Sequence, residues 1–163
     1  MFDAETLTLA QSVLDACRAR GWRLATAESC TGGLVAGALT AIGGSSDVVE
    51  RVFVTYSNEA KSELLGVPPA TIAAHGAVSV ETTAAMARGA LAHAPVDLAI
   101  SVTGIAGPGG ATPTKPVGLV LFGLARRDGS CRIERRVFAG DRAAVRQAAL
   151  RVALQLLEAE AHG

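Results

Sequence analysis

Three segments of the sequence combine residue types that can do chemistry with a position where a strand is expected to end. They are AESCTGG at 27–33, TYSNEAK at 55–61 and TGIAGPGG at 103–110. Each follows a run of apolar or β-branched residues, so each is predicted to leave the end of a strand. Ligands of open α/β sheets bind at the carboxyl ends of strands, and we therefore expect the three segments to meet at one edge of a sheet.

The first segment offers a hydroxyl nucleophile and donors for an oxyanion. Ser29 and Cys30 lie where a strand passes into a helix, and Thr31, Gly32 and Gly33 open that helix. Unpaired backbone N–H groups and the helix dipole favour negative charge there, and glycine lets a substrate approach the backbone closely. The segment therefore predicts an oxyanion hole beside a serine. The simpler interpretation is that Ser29 or Thr31 only caps the helix.

The base that a serine nucleophile requires is best supplied by Lys61. Among the 15 Lys and Arg residues only Lys61 and Lys115 are lysine, and Lys61 follows the single tyrosine, Tyr56, by five positions. Burial would lower the pKa of the amine and make a neutral base available, with Tyr56 bridging Ser29 and Lys61 or orienting them. A surface ion pair for Lys61 and a core aromatic at Tyr56 are the alternatives. The three histidines show no evident carboxylate partner.

The third segment has the features of an anion site. Thr103 offers a hydroxyl, and Gly104 and Gly107 offer accessible N–H groups that can surround a phosphate. Further along, GDRAAVR places Arg142 and Arg146 four positions apart near the start of a helix, where guanidinium groups suit phosphate. A glycine turn and two solvated arginines explain the same residues equally well.

The elements that must position these segments alternate between helices and strands. Apolar periodicity and caps predict helices at 4–20, 30–42, 58–66, 79–93 and from Asp141 onward, and strands at 22–29, 48–57, 96–103, 117–125 and 131–139. The segment after Pro68 and Pro69, which contains His75, is expected to be a loop. Strands separated by helices, with one late hairpin, predict an α/β fold: a three-layer α/β/α sandwich with a mixed, mostly parallel central sheet and a C-terminal hairpin. Residues 1–163 are predicted to be a single domain.

Composition narrows the possible classes of function. A chain of 163 residues, half of them apolar, is long enough for one domain with a core. The formal net charge is zero and there is no long basic block, so binding to a nucleic-acid backbone is not expected. The longest apolar run, Val117–Ala125, is too short for a bilayer, and no signal peptide is visible. Three cysteines without metal-like spacing favour a reduced, cytoplasmic setting.

Taken together, AESCTGG, VTYSNEAKSELLGV, HGAVS, VTGIAGPGG…KPVG and AGDRAAVR closely resemble the nicotinamide-mononucleotide deamidase family, whose fold is also the C-terminal domain of the competence/damage-inducible CinA proteins. The resemblance runs from about residue 5 to 158, in the same order and spacing. It implies a cytoplasmic bacterial amidohydrolase that converts nicotinamide mononucleotide and water into nicotinic acid mononucleotide and ammonia, without a metal or cofactor. It also implies a homodimer or larger assembly, and a serine nucleophile with Tyr and Lys helpers at Ser29, Tyr56 and Lys61. GATPTKP departs from the pattern, because relatives often carry an acidic residue before Lys115.

The hypothesis that follows assigns a role to each site residue. Neutral Lys61, through or beside Tyr56, takes the proton of Ser29, which attacks the carboxamide, and N–H groups around Thr31–Gly33 hold the oxyanion. The remaining substrate-binding positions are Asn58 and, for the ribose phosphate, Thr103, Gly104, Gly107 and Arg142. Two alternatives stay open: an amidase that uses Cys30, and a non-catalytic module that binds pyridine nucleotides or regulates competence.

Overall fold

The computed structural model describes residues 1–163 and contains one five-stranded sheet with helices on both faces. Its elements in chain order are α1 (Ala4–Arg20), β1 (Leu24–Glu28), α2 (Leu34–Thr40), β2 (Val49–Val54), α3 (Asn58–Leu65), α4 (Pro69–His75), α5 (Val80–His93), β3 (Leu98–Gly104), β4 (Leu119–Arg126), β5 (Cys131–Val137) and α6 (Arg142–His162). The strand order is β2-β1-β3-β4-β5, with β1 parallel to both β2 and β3, and with β4 antiparallel to β3 and to β5. All strands except β4 therefore run in one direction. The predicted α/β fold, with its mixed, mostly parallel sheet and late hairpin, is confirmed.

The two faces of the sheet carry side chains of different size. One face forms the larger core with α1, α2 and α6, through apolar residues that include Leu24, Leu98, Ile100, Val102 and Phe122. The centre of the other face is made of small residues, Ala25, Ala27, Ala99, Ser101 and Gly123. Because these side chains are small, α5 packs very close to the sheet: a Cβ added at Gly123 would lie 2.6 Å from Ser101 Oγ and 3.0 Å from the carbonyl oxygen of Thr83.

Local sequence explains where most of the helices begin. Asp3, Ser79 and Asp141 each accept a hydrogen bond from the backbone N–H three residues on, so α1, α5 and α6 begin where predicted. Helix α2 begins at Leu34 instead of residue 30, because the residues before it form a turn. Helix α4 occupies a segment expected to be a loop: Pro69 is its first residue, a position that needs no N–H donor. No helix of the structure combines the length and apolar character that crossing a membrane requires.

The ends of the three parallel strands meet at one edge of the sheet. The backbone N–H of Ser29, after β1, donates to the carbonyl oxygen of Val102 in β3 at 2.8 Å, and that of Thr55, after β2, donates to the carbonyl oxygen of Glu28 at 2.8 Å. From β1 the chain passes to β2 through α2 on one face, and it returns to β3 through α3, α4 and α5 on the other. Ligands of α/β sheets bind at such a change of direction.

Candidate active site

Ser29 and Lys61 form a hydrogen-bonded pair at this edge of the sheet. Lys61 Nζ lies 3.2 Å from Ser29 Oγ, 2.9 Å from the carbonyl oxygen of Thr55 and 3.3 Å from that of Ser57. Lys61 is 1% exposed and forms no salt bridge, so the alternative of a surface ion pair is wrong. Burial is the main cause that lowers the pKa of Lys61 from its ordinary value of 10.5. The pair therefore joins a hydroxyl to an amine whose proton is made easier to remove by burial.

Lys61 reaches Ser29 because α3 follows β2 after a very short connection. Ser57 caps α3, its side chain accepting from the backbone N–H of Ala60 at 3.0 Å, and Gly66 ends the helix with φ 66°. Lys61 and Leu65 are one turn apart and are the buried residues of α3, so they share the inner face of this helix, which packs against α5. The side chain of Lys61 extends from this face to the end of β1.

Glu28 fixes the start of α2, and sequence reasoning missed it. Its carboxylate is completely buried and accepts the backbone N–H groups of Gly33 at 3.0 Å, Val35 at 3.1 Å and Ala36 at 2.9 Å. It thus satisfies donors that the first turn of a helix leaves without partners. The signal was present in the sequence, because Glu28 is the one charged residue of an otherwise uncharged strand directly before the serine.

The hydrogen bonds of the turn decide which N–H groups can receive an oxyanion. Gly33 donates to Glu28, and Gly32 donates to the carbonyl oxygen of Ser29 at 3.0 Å. The N–H groups of Cys30 and Thr31 donate to no other residue. The N–H groups of Gly32 and Gly33, which were expected to supply the oxyanion donors, are therefore engaged within the turn, and the unpaired donors beside Ser29 are those of Cys30 and Thr31.

Arg146 binds the backbone of the same turn from α6. Its Nε donates to the carbonyl oxygen of Cys30 at 3.1 Å, and its Nη2 donates to that of Thr31 at 3.0 Å. The side chain is partly buried and has no carboxylate partner. Arg146 was expected to pair with Arg142 at a phosphate, but the structure directs it to the main chain beside Ser29.

Arg142 and Tyr56 bridge two loops at the rim of the site. Arg142 Nη2 donates to Tyr56 Oη at 2.6 Å, and Nη1 donates to the carbonyl oxygen of Gly107 at 3.0 Å. Tyr56 is 60% exposed, so it neither packs in the core nor bridges Ser29 and Lys61, which contact each other directly. The guanidinium of Arg142 is exposed and has no carboxylate partner. It remains available to an anionic group of a ligand.

The other residues predicted to bind substrate have local structural roles. Thr103 is buried, and its Oγ1 donates to the carbonyl oxygen of Ala77 at 3.0 Å. Gly104 lies against β4, where an added Cβ would come within 2.6 Å of the carbonyl oxygen of Leu119. Asn58 lines a cleft of about 460 Å³ between α3 and α4, which neither Ser29 nor Lys61 lines. The residues that the structure does bring together are Ser29, Cys30, Thr31, Tyr56, Lys61, Gly107, Arg142 and Arg146.

Cys30 shares the turn with Ser29, but its thiol is unsuited to nucleophilic attack. The residue is 6% exposed, and burial raises the pKa of the thiol to about 12. The thiolate is the reactive form, and at this pKa it is scarce at neutral pH.

The histidines do not supply a base for Ser29 or Cys30 either. His75 lies at the exposed end of α4, where it faces Glu81 at 3.6 Å, a contact that the sequence did not suggest. No group of three or more His, Cys, Asp and Glu side chains is placed to bind a metal ion.

A large open cleft lies away from these residues, between α1 and the end of α6. It has a volume of about 900 Å³, and Ser12 lines it. Ser12 donates to the carboxylate of Glu158, but it lies in the middle of α1, where the helix uses the backbone N–H groups. This serine therefore lacks the unpaired N–H donors that follow Ser29, and the residues at the strand ends are the better candidate for the active site.

Comparisons with known proteins show similarity along nearly the whole chain. The model of the family described as the CinA C-terminal domain matches residues 6–161. The chain is 51% identical over 157 residues to the nicotinamide-nucleotide amidohydrolase PncC of Escherichia coli (strain K12), covering 96% of this chain and 95% of that protein. The crystal structure of the competence/damage inducible protein CihA from Agrobacterium tumefaciens has a TM-score of 0.93 at 46% identity, covering 98% of this chain and 97% of that one. The crystal structure of the competence damage-inducible protein A from Klebsiella pneumoniae subsp. pneumoniae MGH 78578 has a TM-score of 0.91 at 43% identity, covering 95% of this chain and 96% of that one.

Proposed function

Because this chain belongs to the family of the CinA C-terminal domain, we propose that it is a nicotinamide-nucleotide amidohydrolase that uses Ser29 as its nucleophile. The proposed reaction converts nicotinamide mononucleotide and water into nicotinic acid mononucleotide and ammonia. The observation that carries the proposal is the pair of a buried amine and a hydroxyl, Lys61 Nζ and Ser29 Oγ, 3.2 Å apart. Proton transfer requires contact of this kind.

The neighbours of Lys61 suit a neutral amine as well as a charged one. A neutral amine has two N–H donors and one lone pair. The two donors match the carbonyl oxygens of Thr55 and Ser57, and the lone pair then faces the hydroxyl of Ser29. Deprotonation therefore leaves both carbonyl oxygens with their donor, and the hydroxyl of Ser29 can then donate to Lys61 Nζ.

The proposed mechanism has two stages. Lys61 takes the proton of Ser29 as Oγ bonds to the carboxamide carbon, and the N–H groups of Cys30 and Thr31 receive the oxyanion. As the carbon–nitrogen bond breaks, the Lys61 ammonium gives its proton to the leaving nitrogen, which departs as ammonia. Water then attacks the acyl-enzyme ester and gives a proton to Lys61, which passes it to Ser29 when the ester bond breaks. One oxyanion donor typically contributes about 3–4 kcal/mol to such a barrier.

Arg142 and Tyr56 are the proposed contacts for the rest of the nucleotide. Two N–H groups of Arg142 are engaged with Tyr56 and Gly107, and the others are free to bind a phosphate. Because Arg142 donates to Tyr56 Oη, the phenolic O–H of Tyr56 can donate to the substrate. Thr103 and Gly104 remain in the proposal only as the support of the adjoining loop.

We also propose that residues 1–163 act as a single domain in the cytoplasm. All three cysteines are unpaired, which suits a reducing compartment. The edge strand β2 and the neighbouring α3 expose Val52, Val54 and Leu64, and such apolar side chains support a homodimer or larger assembly. Sedimentation velocity of the purified chain tests the assembly, and a monomer at all concentrations would contradict it.

The test of the function is release of ammonia from nicotinamide mononucleotide. The unmodified chain is expected to release ammonia, and Ser29→Ala is expected to lose turnover while still binding the nucleotide. Ser12→Ala is the matched control, because it removes another serine hydroxyl from the distant cleft and should leave turnover unchanged. An unmodified chain that binds the nucleotide but releases no ammonia would support the non-catalytic module instead. Full turnover by Ser29→Ala would end the serine mechanism.

A further inference from the structure

We propose that Arg146 is a positioning residue for this reaction: it fixes and polarises the Thr31 N–H that receives the oxyanion. The inference rests on the proposed function, because it concerns the oxyanion formed when Ser29 attacks. It starts from a contact that phosphate binding does not explain. The guanidinium donates to two successive carbonyl oxygens, those of Cys30 and Thr31, directly after the nucleophile.

Each of these hydrogen bonds acts on a peptide group whose N–H belongs to the next residue. The carbonyl of Cys30 and the N–H of Thr31 are the two ends of one peptide group, and they point in opposite directions. A donor on the carbonyl strengthens the N–H as a donor, because hydrogen bonds in a chain polarise one another. The positive charge of Arg146 at the carbonyl end therefore favours negative charge at the N–H end.

The second hydrogen bond fixes the orientation of the turn. The carbonyl of Thr31 belongs to the peptide group whose N–H, that of Gly32, donates back to the carbonyl of Ser29. Arg146 thus holds the turn by its carbonyls, while Glu28 holds the start of α2 by its N–H groups. Between these two anchors, the N–H groups of Cys30 and Thr31 are left unpaired. Fixed donors of this kind stabilise a transition state without reorganising during the reaction.

The charge of Arg146 adds to this effect. No carboxylate neutralises it, since its hydrogen-bond partners are carbonyl oxygens and it forms no salt bridge. A partly buried, uncompensated positive charge beside Ser29 favours the oxyanion over the neutral carboxamide. Arginine suits the position better than lysine, because its planar group presents two N–H donors in fixed directions to two acceptors.

The experiment compares Arg146→Met and Arg146→Lys with the unmodified chain. Arg151→Met is the matched control, because Arg151 is also on α6 but pairs with Asp3 and Glu5 at the surface. Ammonia release gives kcat and KM, and the Kd for nicotinamide mononucleotide is measured in a Ser29→Ala background with and without Arg146→Met. Thermal unfolding of each variant identifies any that has lost its fold, in which case Arg146→Lys carries the test.

We expect Arg146→Met to lower kcat by about 10- to 100-fold, somewhat less than direct loss of an oxyanion donor. KM and the Kd should stay unchanged. The kcat of Arg146→Lys should lie between that of the unmodified chain and that of Arg146→Met, because one amine cannot bind both carbonyl oxygens in the same geometry. A weakened Kd with unchanged kcat would make Arg146 a ligand of the phosphate and overturn the inference. Unchanged kcat and Kd in Arg146→Met would overturn it as well.

A second readout separates this inference from the proposed function. A fluorophosphonate probe that reacts with Ser29 forms an oxyanion at phosphorus without needing an amide substrate, and its labelling rate is measured for each variant. If the unmodified chain releases no ammonia, the proposed function fails, yet slower labelling of Arg146→Met than of Arg151→Met would still support the positioning role. Equal labelling rates in those two variants would refute it.

Discussion

Replacing Lys61 with Met removes the proposed base and keeps an unbranched side chain in the buried position. General bases typically contribute about 10²- to 10⁴-fold to a rate. We expect the rate of ammonia release to fall by a factor towards the upper end of that range, because Lys61 is the only titratable side chain within hydrogen-bond distance of Ser29 Oγ. The two groups that Lys61 now binds, the carbonyl oxygens of Thr55 and Ser57, are not titratable and cannot replace the amine as a base.

The same substitution should change stability far less than activity. Met leaves three hydrogen bonds of Lys61 unmade, each with a net worth of about 1 kcal/mol. It also removes an amine whose burial opposes folding, since burial is what lowers the pKa of Lys61. The two effects have opposite sign, and we expect the free energy of unfolding to change by no more than about 2 kcal/mol.

The pH dependence identifies the group that is lost. The pKa of Lys61 in the folded chain lies below its ordinary value of 10.5, so kcat/KM should rise with pH until it passes the lowered pKa and then level off. Between the folded pKa and 10.5 the unfolded chain binds more protons than the folded one. The free energy of unfolding therefore increases with pH across that window, and below the folded pKa Lys61 adds no pH dependence.

The assay measures ammonia release and urea unfolding at a series of pH values for the unmodified chain, Lys61→Met and Lys115→Met. Lys115 is the matched control, because it is the other lysine and its Nζ donates to the carbonyl of His75 away from Ser29. Lys115→Met should keep the pH dependence of kcat/KM and of the free energy of unfolding. Lys61→Met should lose turnover, and its free energy of unfolding should no longer increase with pH across the Lys61 window. The reasoning is refuted if Lys61→Met keeps turnover comparable to that of the control, or if its remaining activity rises with pH through the same midpoint.

Three further substitutions test other parts of the site. Arg142→Gln is expected to raise KM for nicotinamide mononucleotide more than for the corresponding nucleoside, which lacks the phosphate; equal increases in steady-state assays would remove Arg142 from phosphate binding. Cys30→Ala is expected to keep turnover, because burial raises the pKa of its thiol to about 12, and loss of turnover with an intact fold would revive the cysteine mechanism. Glu28→Gln is expected to lower the free energy of unfolding in urea by about 2–3 kcal/mol, since three hydrogen bonds lose their charged acceptor. An unchanged midpoint would show that the buried carboxylate is not what holds α2 in place.

Much of the fold could be predicted because local signals agree with the tertiary structure. Helix α1 has the predicted bounds, since Asp3 caps its start and Gly21 ends it in the left-handed conformation with φ 64°. Helix α4 is not evident from the sequence, because Pro68 and Pro69 after α3 also indicate the end of that helix. Proline also favours the first turn of a helix, and which role it takes depends on whether the residues after it can pack, as Ile72 does in the smaller apolar core beside α5.

The site was predictable in its residue types but not in all of its contacts. Ser29 and Lys61 come together as expected, because parallel strands bring their carboxyl ends to one edge. The roles of Arg142 and Arg146 could not be separated from sequence. Their spacing places them on one face of a helix. It does not reveal that Arg146 lies beside the carbonyl oxygen of Cys30, whereas Arg142 lies at the exposed rim beside Gly107. Which N–H groups of the turn stay unpaired depended likewise on Glu28, whose carboxylate binds N–H groups further along the chain.

The choice between arginine and lysine in this chain follows from what each position must do with a proton. Arginine keeps its proton at any working pH, and at Arg146 the hydrogen bonds to two carbonyls require a lasting donor and a lasting charge. In the proposed mechanism Lys61 must release a proton before it can accept the one on Ser29, and burial without a carboxylate partner lowers the pKa in the required direction. Lysine alone does not mark a catalytic position, since Lys115 binds a surface carbonyl. Lys61→Arg should therefore abolish turnover although it keeps the charge, whereas Lys115→Arg should leave turnover intact; an active Lys61→Arg variant would mean that charge near Ser29, and not proton transfer, is what the lysine supplies.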